Sequence, residues 1–525
     1  MLFNSYLFLL VFLPITLAVY YAVGPLNLRL AALWLCLTSI VFYGWWNPQF
    51  VVLLAGSIAF NYAVSQLILH SEGRSRLQGL ITGLGVGADL ALLFHYKYFA
   101  ALLGFLNDLG MSSATADSVI LPLGISFFTF TQIGYLLDCK AGVVKERSLL
   151  SYVLFVTFFP HLIAGPILHH KEMMPQFAQP ENYRFKAENL SVGMMLFVIG
   201  LAKKVLLADG IAPYADAGFA APGELMFWGS WGASLCYALQ LYFDFSGYSD
   251  MALGLAKMFG IRFPLNFNSP YKAGSIIEFW ARWHMTLTRY LTAYLYYPVA
   301  MAVSKWRTER NLPVGTQGVA TPGGFAGSII LPTVYTMGLA GIWHGAGFQF
   351  LVFGLLHAMY LSVNHAWRIF VVGSKPAARQ MGPTKRAACV LLTFVAVLVA
   401  QAFFRANGVG DAMLLVQGMI GMRGVEALDL AARVDGLAWG DAWRMLLGHH
   451  MQLIYAVVLL GIAWFTPNAH QILGRYSPAL FKPQEAATPW MRWRPTLGWL
   501  AVMLALLFFC LVNLHKETRF LYFQF

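Results

Sequence analysis

The chain has 525 residues, of which 59% are hydrophobic and only 11% charged, with a mean hydropathy of +0.63. Soluble domains carry about twice that share of charge, so the composition excludes a soluble globular protein and points to a polytopic membrane protein. The net charge of +12 does not indicate nucleic acid, because the basic residues are scattered through short loops between apolar runs, as in cytoplasmic membrane loops.

The first apolar run, Tyr6 to Val23, has no basic residue before it and no A-x-A type site, so it reads as a retained helix rather than a cleaved signal. Further runs follow at Leu28 to Trp46, Phe50 to Leu69, Leu77 to Phe94, Val119 to Leu137, Leu149 to Leu168, Leu190 to Leu207, Phe227 to Phe245 and Ile276 to Val303. A double run from Phe325 to Phe370 precedes Ala387 to Phe404, Met451 to Phe465 and Leu497 to Val512. Since about 20 apolar residues cross a bilayer core, these predict an all-α, polytopic transmembrane protein with about 10 to 13 crossings. Runs that are short or studded with Gly and Pro are expected to be re-entrant or interfacial. No internal repeat or low-complexity linker divides the chain, which reads as one membrane domain. Its expected parts are a core over 1–404, an outer-side amphipathic segment over 405–450 and C-terminal transmembrane helices over 451–525.

Loop charge sets an expected orientation. Arg29 follows the first run, the WNPQ turn is uncharged, and SEGRSR carries Arg74 and Arg76, so the N-terminus is expected outside by the positive-inside rule. The loop with Arg368, Lys375, Arg379, Lys385 and Arg386 is cytoplasmic on the same count. The charge-balanced segment from Arg405 to His450, with Glu426 among its acids, suits the outer side. Basic Arg475, Lys482, Arg492 and Arg494 then return the chain inside, and both termini end outside. Five cysteines, Cys36, Cys139, Cys236, Cys389 and Cys510, are widely spaced and form no C-x-x-C pair, so they read as small core residues.

Four tracts hold the chemistry. In FFPHLIAGPILHHKEMMPQF, the adjacent His169 and His170 share no helical face, and although His169 and Glu172 could, no third ligand at suitable spacing completes a zinc site, so no metal is expected. The pair His449-His450 fails likewise. In LYFDFSGYSDMALGLAKMFG, Asp244 and Asp250 must pair with a cation, cap a helix or face water, and Ser249-Asp250 reads as a helix start. In SIIEFWARWHMTLTRYL, helical spacing places Trp280, His284 and Leu287 on one face, with Glu278 and Arg282 four apart on another. In the double run, Gly341, Gly345 and Gly347 break the apolar sequence around His344, with His357 downstream. Non-helical backbone at membrane depth is tolerated where it faces protein or a water-filled cavity, so His344 is either a functional imidazole or one that satisfies a carbonyl freed by the break.

The chain has no G-x-S-x-G elbow and no G-x-x-x-x-G-K-[ST] loop, which leaves neither a serine hydrolase nor an ATP-driven pump supported. A neutral imidazole, with an ordinary pKa of about 6.5, is suited to take a proton from a hydroxyl near neutral pH.

The ordered tracts LPLGISFFTF, FFPHLIAGP, LYFDFSGYSDMALGLAKMFG, NFNSPY, EFWARWHMTL, GIWHGAGFQFLVFGLLHAMY and LYFQF resemble the membrane-bound O-acyltransferase family. They are most similar to its bacterial branch with alginate O-acetyltransferase and the teichoic acid D-alanyl transferase. The resemblance runs from residue 1 to about 404 and resumes at the C-terminus. It implies a ring of tilted helices around a central tunnel, His344 as the catalytic residue and His284 as a second one. Asp244, Arg282, Trp343, His357, Trp283 and Tyr248 are then expected to bind substrate or line the tunnel. Relatives often carry an Arg-Asp-Tyr triplet where this chain has Thr292-Ala293-Tyr294, which puts any role of that Arg-Asp pair in doubt here. The implied donor is acetyl-CoA or another cytoplasmic thioester, with no bound cofactor. The implied acceptor is a hydroxyl outside the bacterial inner membrane, often on a partner protein that passes acetyl groups to an exopolysaccharide such as alginate or cellulose. D-alanyl transfer to teichoic acid from a carrier-protein thioester is one alternative. A proton-coupled transporter is another, although no inverted repeat supports it.

Overall fold

The structure, a computed structural model, describes residues 1–111, 120–373, 382–426, 439–480, 487–514 and 520–521, with the backbone alone for 439–450. Residues 522–525 of the terminal LYFQF tract, Lys375, Arg379 and Lys482 lie outside the described residues, as do the side chains of His449 and His450. The protein is all-α: it is 77% helical, with no strand among the described residues. Among the described residues, five helices are long and apolar enough to cross a membrane: Gln49–His70, Ser75–Lys97, Ala187–Ala220, Pro322–His344 and Pro383–Arg405. Shorter apolar helices include Phe8–Val23, Leu28–Gly44, Met451–Phe465 and Leu497–Asn513.

Helix boundaries follow local chemistry. Asn27 caps Leu28–Gly44 by accepting the N–H groups of Arg29 and Leu30 at 2.9 and 3.2 Å. The 149–168 run is split, because Phe158 leaves helical geometry (ψ 108°) after Leu149–Thr157 and Pro160 enters the first turn of Phe159–Leu162. The cysteines are all free, four of them buried and Cys389 half-buried, as expected of small core residues.

The chain forms two compact units. One comprises residues 1–205, 245–268 and 467–525, the other 206–244 and 269–466. In the first, aromatic rings form the interior: Phe3, Phe8, Phe42 and Phe159 lie with centroids 5.1 to 6.5 Å apart. The Ala187–Ala202 helix crosses the 32-residue Phe227–Met258 helix at glycines. A Cβ on Gly193 would stand 2.6 Å from the Gly254 carbonyl oxygen, and one on Gly247 would stand 2.8 Å from that of Gly200. In lipid no hydrophobic term drives helices together, so this backbone-to-backbone approach supplies the packing.

The same crossing corrects one expectation. Ser249 and Asp250 do not start a helix but lie inside Phe227–Met258. Their capping preference is overruled because both side chains find partners there. Ser249 Oγ accepts from Asn266 Nδ2 at 3.0 Å, and Asp250 is held by Lys203 Nζ at 2.6 Å and His470 Nε2 at 2.9 Å.

In the second unit, Leu331–His344 and Phe348–Ala366 form a hairpin whose helices touch through Gly341 and Gly354. A Cβ on Gly341 would meet the Phe350 carbonyl oxygen at 2.3 Å, and one on Gly354 would meet that of Met337 at 2.2 Å. The first turns of the 227–258 helix are clasped from 200 residues away. Glu426 accepts the backbone N–H groups of Met226, Trp228 and Gly229 at 3.1, 2.7 and 2.8 Å, and Gly424 accepts that of Phe227 at 3.1 Å.

Candidate active site

His344 is the last residue of its helix. Gly345 follows with extended backbone (φ −175°, ψ 167°), and a Cβ there would stand 2.2 Å from the Phe350 ring, so the chain turns at a position where only glycine fits. The turn leaves the imidazole buried, 7% exposed, among aromatic rings: Trp343 and Phe404 at 4.8 Å and Phe353 at 6.0 Å. Phe353 is shared with the second histidine of the hairpin, His357, whose ring lies 4.7 Å from it. His357 Nδ1 accepts a hydrogen bond from Trp280 Nε1 at 3.2 Å, which fixes its proton on Nε2 when the ring is neutral.

The EFWARWH tract departs from one continuous helix. Ser275 caps Ile276–Trp280, the chain turns over 281–283, and Met285–Leu291 begins a new helix after His284. His284 itself sits in the left-handed region, φ 41° and ψ 52°, with its side chain 1% exposed. For a residue with a Cβ this costs about 1–2 kcal/mol, a strain that persists only where surrounding structure imposes it. Trp280, His284 and Leu287 therefore do not share one helical face. The Glu278–Arg282 pair survives the break, with Arg282 Nη2 2.8 Å from Glu278 Oε1, and Glu278 also accepts the Gly274 N–H at 2.8 Å.

Aromatic contacts connect these segments. Trp283 stacks on Phe279 at 5.6 Å and on Tyr271 at 6.2 Å, and it meets Tyr242 of the 227–258 helix at 6.5 Å. Phe279 stacks in turn on His357 at 6.2 Å. Tyr271 is anchored by donating to the Ala238 carbonyl at 2.7 Å, while Trp464 Nε1 bonds the Tyr271 carbonyl at 3.1 Å. Asp244, two residues after Tyr242 in the same helix, is 1% exposed. The positions named from sequence thus fall in the second unit, apart from Tyr248. That residue belongs to the first, stacked 5.0 Å from Phe3 and edge-on to Phe520 at 5.1 Å. Thr292-Ala293-Tyr294 forms part of a π-helical turn, Thr292–Tyr296, and Thr292 Oγ1 donates to the Thr288 carbonyl at 2.7 Å.

The model of the membrane-bound O-acyltransferase family matches residues 115–310, a stretch that contains His284 and stops short of His344. A probable alginate O-acetylase AlgI of Pseudomonas aeruginosa is 34% identical over 558 aligned residues, covering 100% of both chains. The chain belongs to the membrane-bound O-acyltransferase family. It is therefore an acyltransferase enzyme. The peptidoglycan O-acetyltransferase of Helicobacter pylori is 39% identical over 82% of each chain, and the teichoic acid D-alanyltransferase of Streptococcus thermophilus 26% identical over 64% of this chain and 77% of its own.

Sequence reasoning missed the aromatic partners of this O-acyltransferase's histidines, Phe353 and Phe404. They stand in apolar runs where any aromatic looks like core, and only the fold distinguishes them. It also missed the partners of Asp250. Here a signal existed: two lysines, Lys203 and Lys204, inside an apolar run require a buried counter-charge.

Proposed function

We propose that this enzyme transfers acetyl groups from a cytoplasmic thioester, acetyl-CoA, to a hydroxyl beyond the bacterial inner membrane, for O-acetylation of a secreted or envelope polysaccharide. One observation carries the choice of base: a buried imidazole, His344, stands where its helix ends on glycine and the backbone turns away. His344 takes the proton of the acceptor hydroxyl as the oxygen attacks the thioester carbonyl. The carbon–sulfur bond then breaks, and the leaving thiolate recovers the proton. A positioned base of this kind contributes about 10²- to 10⁴-fold in rate. His284 assists, and Asp244, Arg282, Trp343, Trp283, His357 and Tyr248 bind or guide the substrates. The acceptor is reached through an outer-side partner protein that carries acetyl groups onward, with both termini of the enzyme on that outer side.

Acetyl is favoured over D-alanyl transfer because relatives named for O-acetyl transfer match at 34–39% identity, while those named for D-alanyl transfer match at 26–28% over less of the chain. The relatives named for acetyl transfer split between peptidoglycan and alginate, so the acceptor class stands as a polysaccharide hydroxyl. His344→Ala tests the reading. With the protein present in the membrane at wild-type level, ester-linked acetate on exported polymer is expected to fall by at least about 10²-fold. Undiminished acetylation excludes His344 as the base.

A further inference from the structure

A cluster in the first unit has no part in the acyl transfer described above. Asp138 lies in the last turn of Ile125–Lys140, and His169 and His170 open the helix His170–Phe177. The fold brings Nε2 of both histidines to 2.8 Å from the same Asp138 oxygen, Oδ2, with all three donor atoms within 4.8 Å of one another. Adjacent histidines converge here because their backbones differ. His169, the cap, is extended (φ −105°, ψ 135°), whereas His170 is the first helical residue, so the two side chains leave the chain in directions that a continuous helix forbids. Asp138 and His170 are buried, while the His169 side chain is 30% exposed and leaves one side of the cluster open to entering ions and water.

We propose that Asp138, His169 and His170 form a binding site for a divalent transition metal, Zn²⁺ above all. Two imidazole nitrogens and one carboxylate oxygen are the donor types this ion takes, and three protein ligands with one open position complete a tetrahedron with water. The expectation of no metal rested on His169 and His170 sharing no helical face and on the lack of a third ligand beside His169 and Glu172, whereas the fold joins both histidines to Asp138, 31 residues upstream of His169. The competing account is two imidazole N–H groups donating to one carboxylate. His169 Nδ1 accepts the Lys171 N–H at 3.3 Å, which places its proton on Nε2. Metal binding would move that proton from Nε2 to Nδ1, freeing the Nε2 lone pair, and open the donor atoms from 2.8 Å to about 3.3 Å apart, as bonds of about 2.0–2.1 Å to one ion require. The half-exposed His169 ring has room for that shift, and the Lys171 bond it gives up is a long one. A bound ion would pin the end of the 125–140 helix to the start of the 170–177 helix.

The test uses the full-length protein in detergent, without a histidine tag, stripped by a chelator and titrated with Zn²⁺ or Co²⁺. About one ion per chain is expected, with the visible absorption of four-coordinate Co²⁺. His169→Ala and Asp138→Asn are each expected to weaken binding at least about tenfold. His70→Ala, an exposed ring at the end of Gln49–His70, is expected to leave it unchanged. Elution as a single species shows that each variant is folded, and His169→Ala at the open side carries the test if Asp138→Asn does not fold. Absence of stoichiometric binding in the wild type, or equal affinity in folded His169→Ala, overturns the proposal.

Discussion

His284 combines a family-motif imidazole with backbone that its side chain disfavours, and substitution separates the two properties. Asparagine tolerates the left-handed region, so His284→Asn is expected to keep the expression level and unfolding midpoint near wild type while acyl transfer drops at least about tenfold. His284→Ala retains the backbone strain of about 1–2 kcal/mol and is expected to lose activity without gaining stability. Asp250 presents the converse case, a buried charge whose value lies in compensation. Its side chain is 4% exposed and that of Lys203 13%, so the ion pair between them is held away from water. Asp250→Asn is expected to cost about 3–5 kcal/mol, seen as a lowered unfolding midpoint in detergent. The double variant Lys203→Met/Asp250→Leu, which leaves neither charge, is expected to recover much of that loss.

At the level of elements, the 331–344 and 348–366 hairpin positions His344 by backbone contact. Gly354→Val inserts atoms where the Met337 carbonyl oxygen already stands within 2.2 Å of a Cβ, so the helices must separate. The His344 ring, 4.8 Å from Phe404 and sharing Phe353 with His357, moves with its helix. Acyl transfer measured in membranes is expected to fall about 10²-fold, since displacements of about 1 Å cost that much in a positioned site. Gly338→Ala on the same helix is the control. Its added methyl meets nothing closer than 3.9 Å, and activity is expected to remain at wild-type level.

At the scale of the whole molecule, segments distant in sequence hold each other in place, and Glu426 gives this a pH dependence. Burial works against its charged form, but the backbone N–H groups of Glu426 itself, Gly229, Trp228 and Met226 outweigh that and hold the carboxyl below the usual carboxylate range. A depressed folded-state pKa means the clasp contributes stability above the unfolded value of about 4.3, and the contribution is lost as pH falls through the lower folded value. Hydrogen exchange at Met226, Trp228 and Gly229 is therefore expected to be slow and steady near neutrality and to quicken, after correction for intrinsic rates, only in acid. In Glu426→Gln the protection is expected to be weaker at neutral pH and this acid-dependent loss to disappear.

The sequence by itself determined the fold class, most helix positions and the tracts that hold His344 and His284. Membrane helices must satisfy every backbone group internally over about 20 apolar residues, and that requirement is written locally in composition. Family membership was equally legible, because so many motifs recur in order. The tertiary structure alone decided which tracts bend and which side chains meet. Ser249-Asp250 has the local signature of a helix start, yet Lys203 and His470 hold Asp250 in mid-helix. The EFWARWH tract has helical spacing, yet His284 turns left-handed. Asp138 joins His169 and His170 across a gap that no spacing rule covers. A buried polar group takes whichever partner the packed helices bring within about 3 Å, and that partner is set by contacts far apart along the chain.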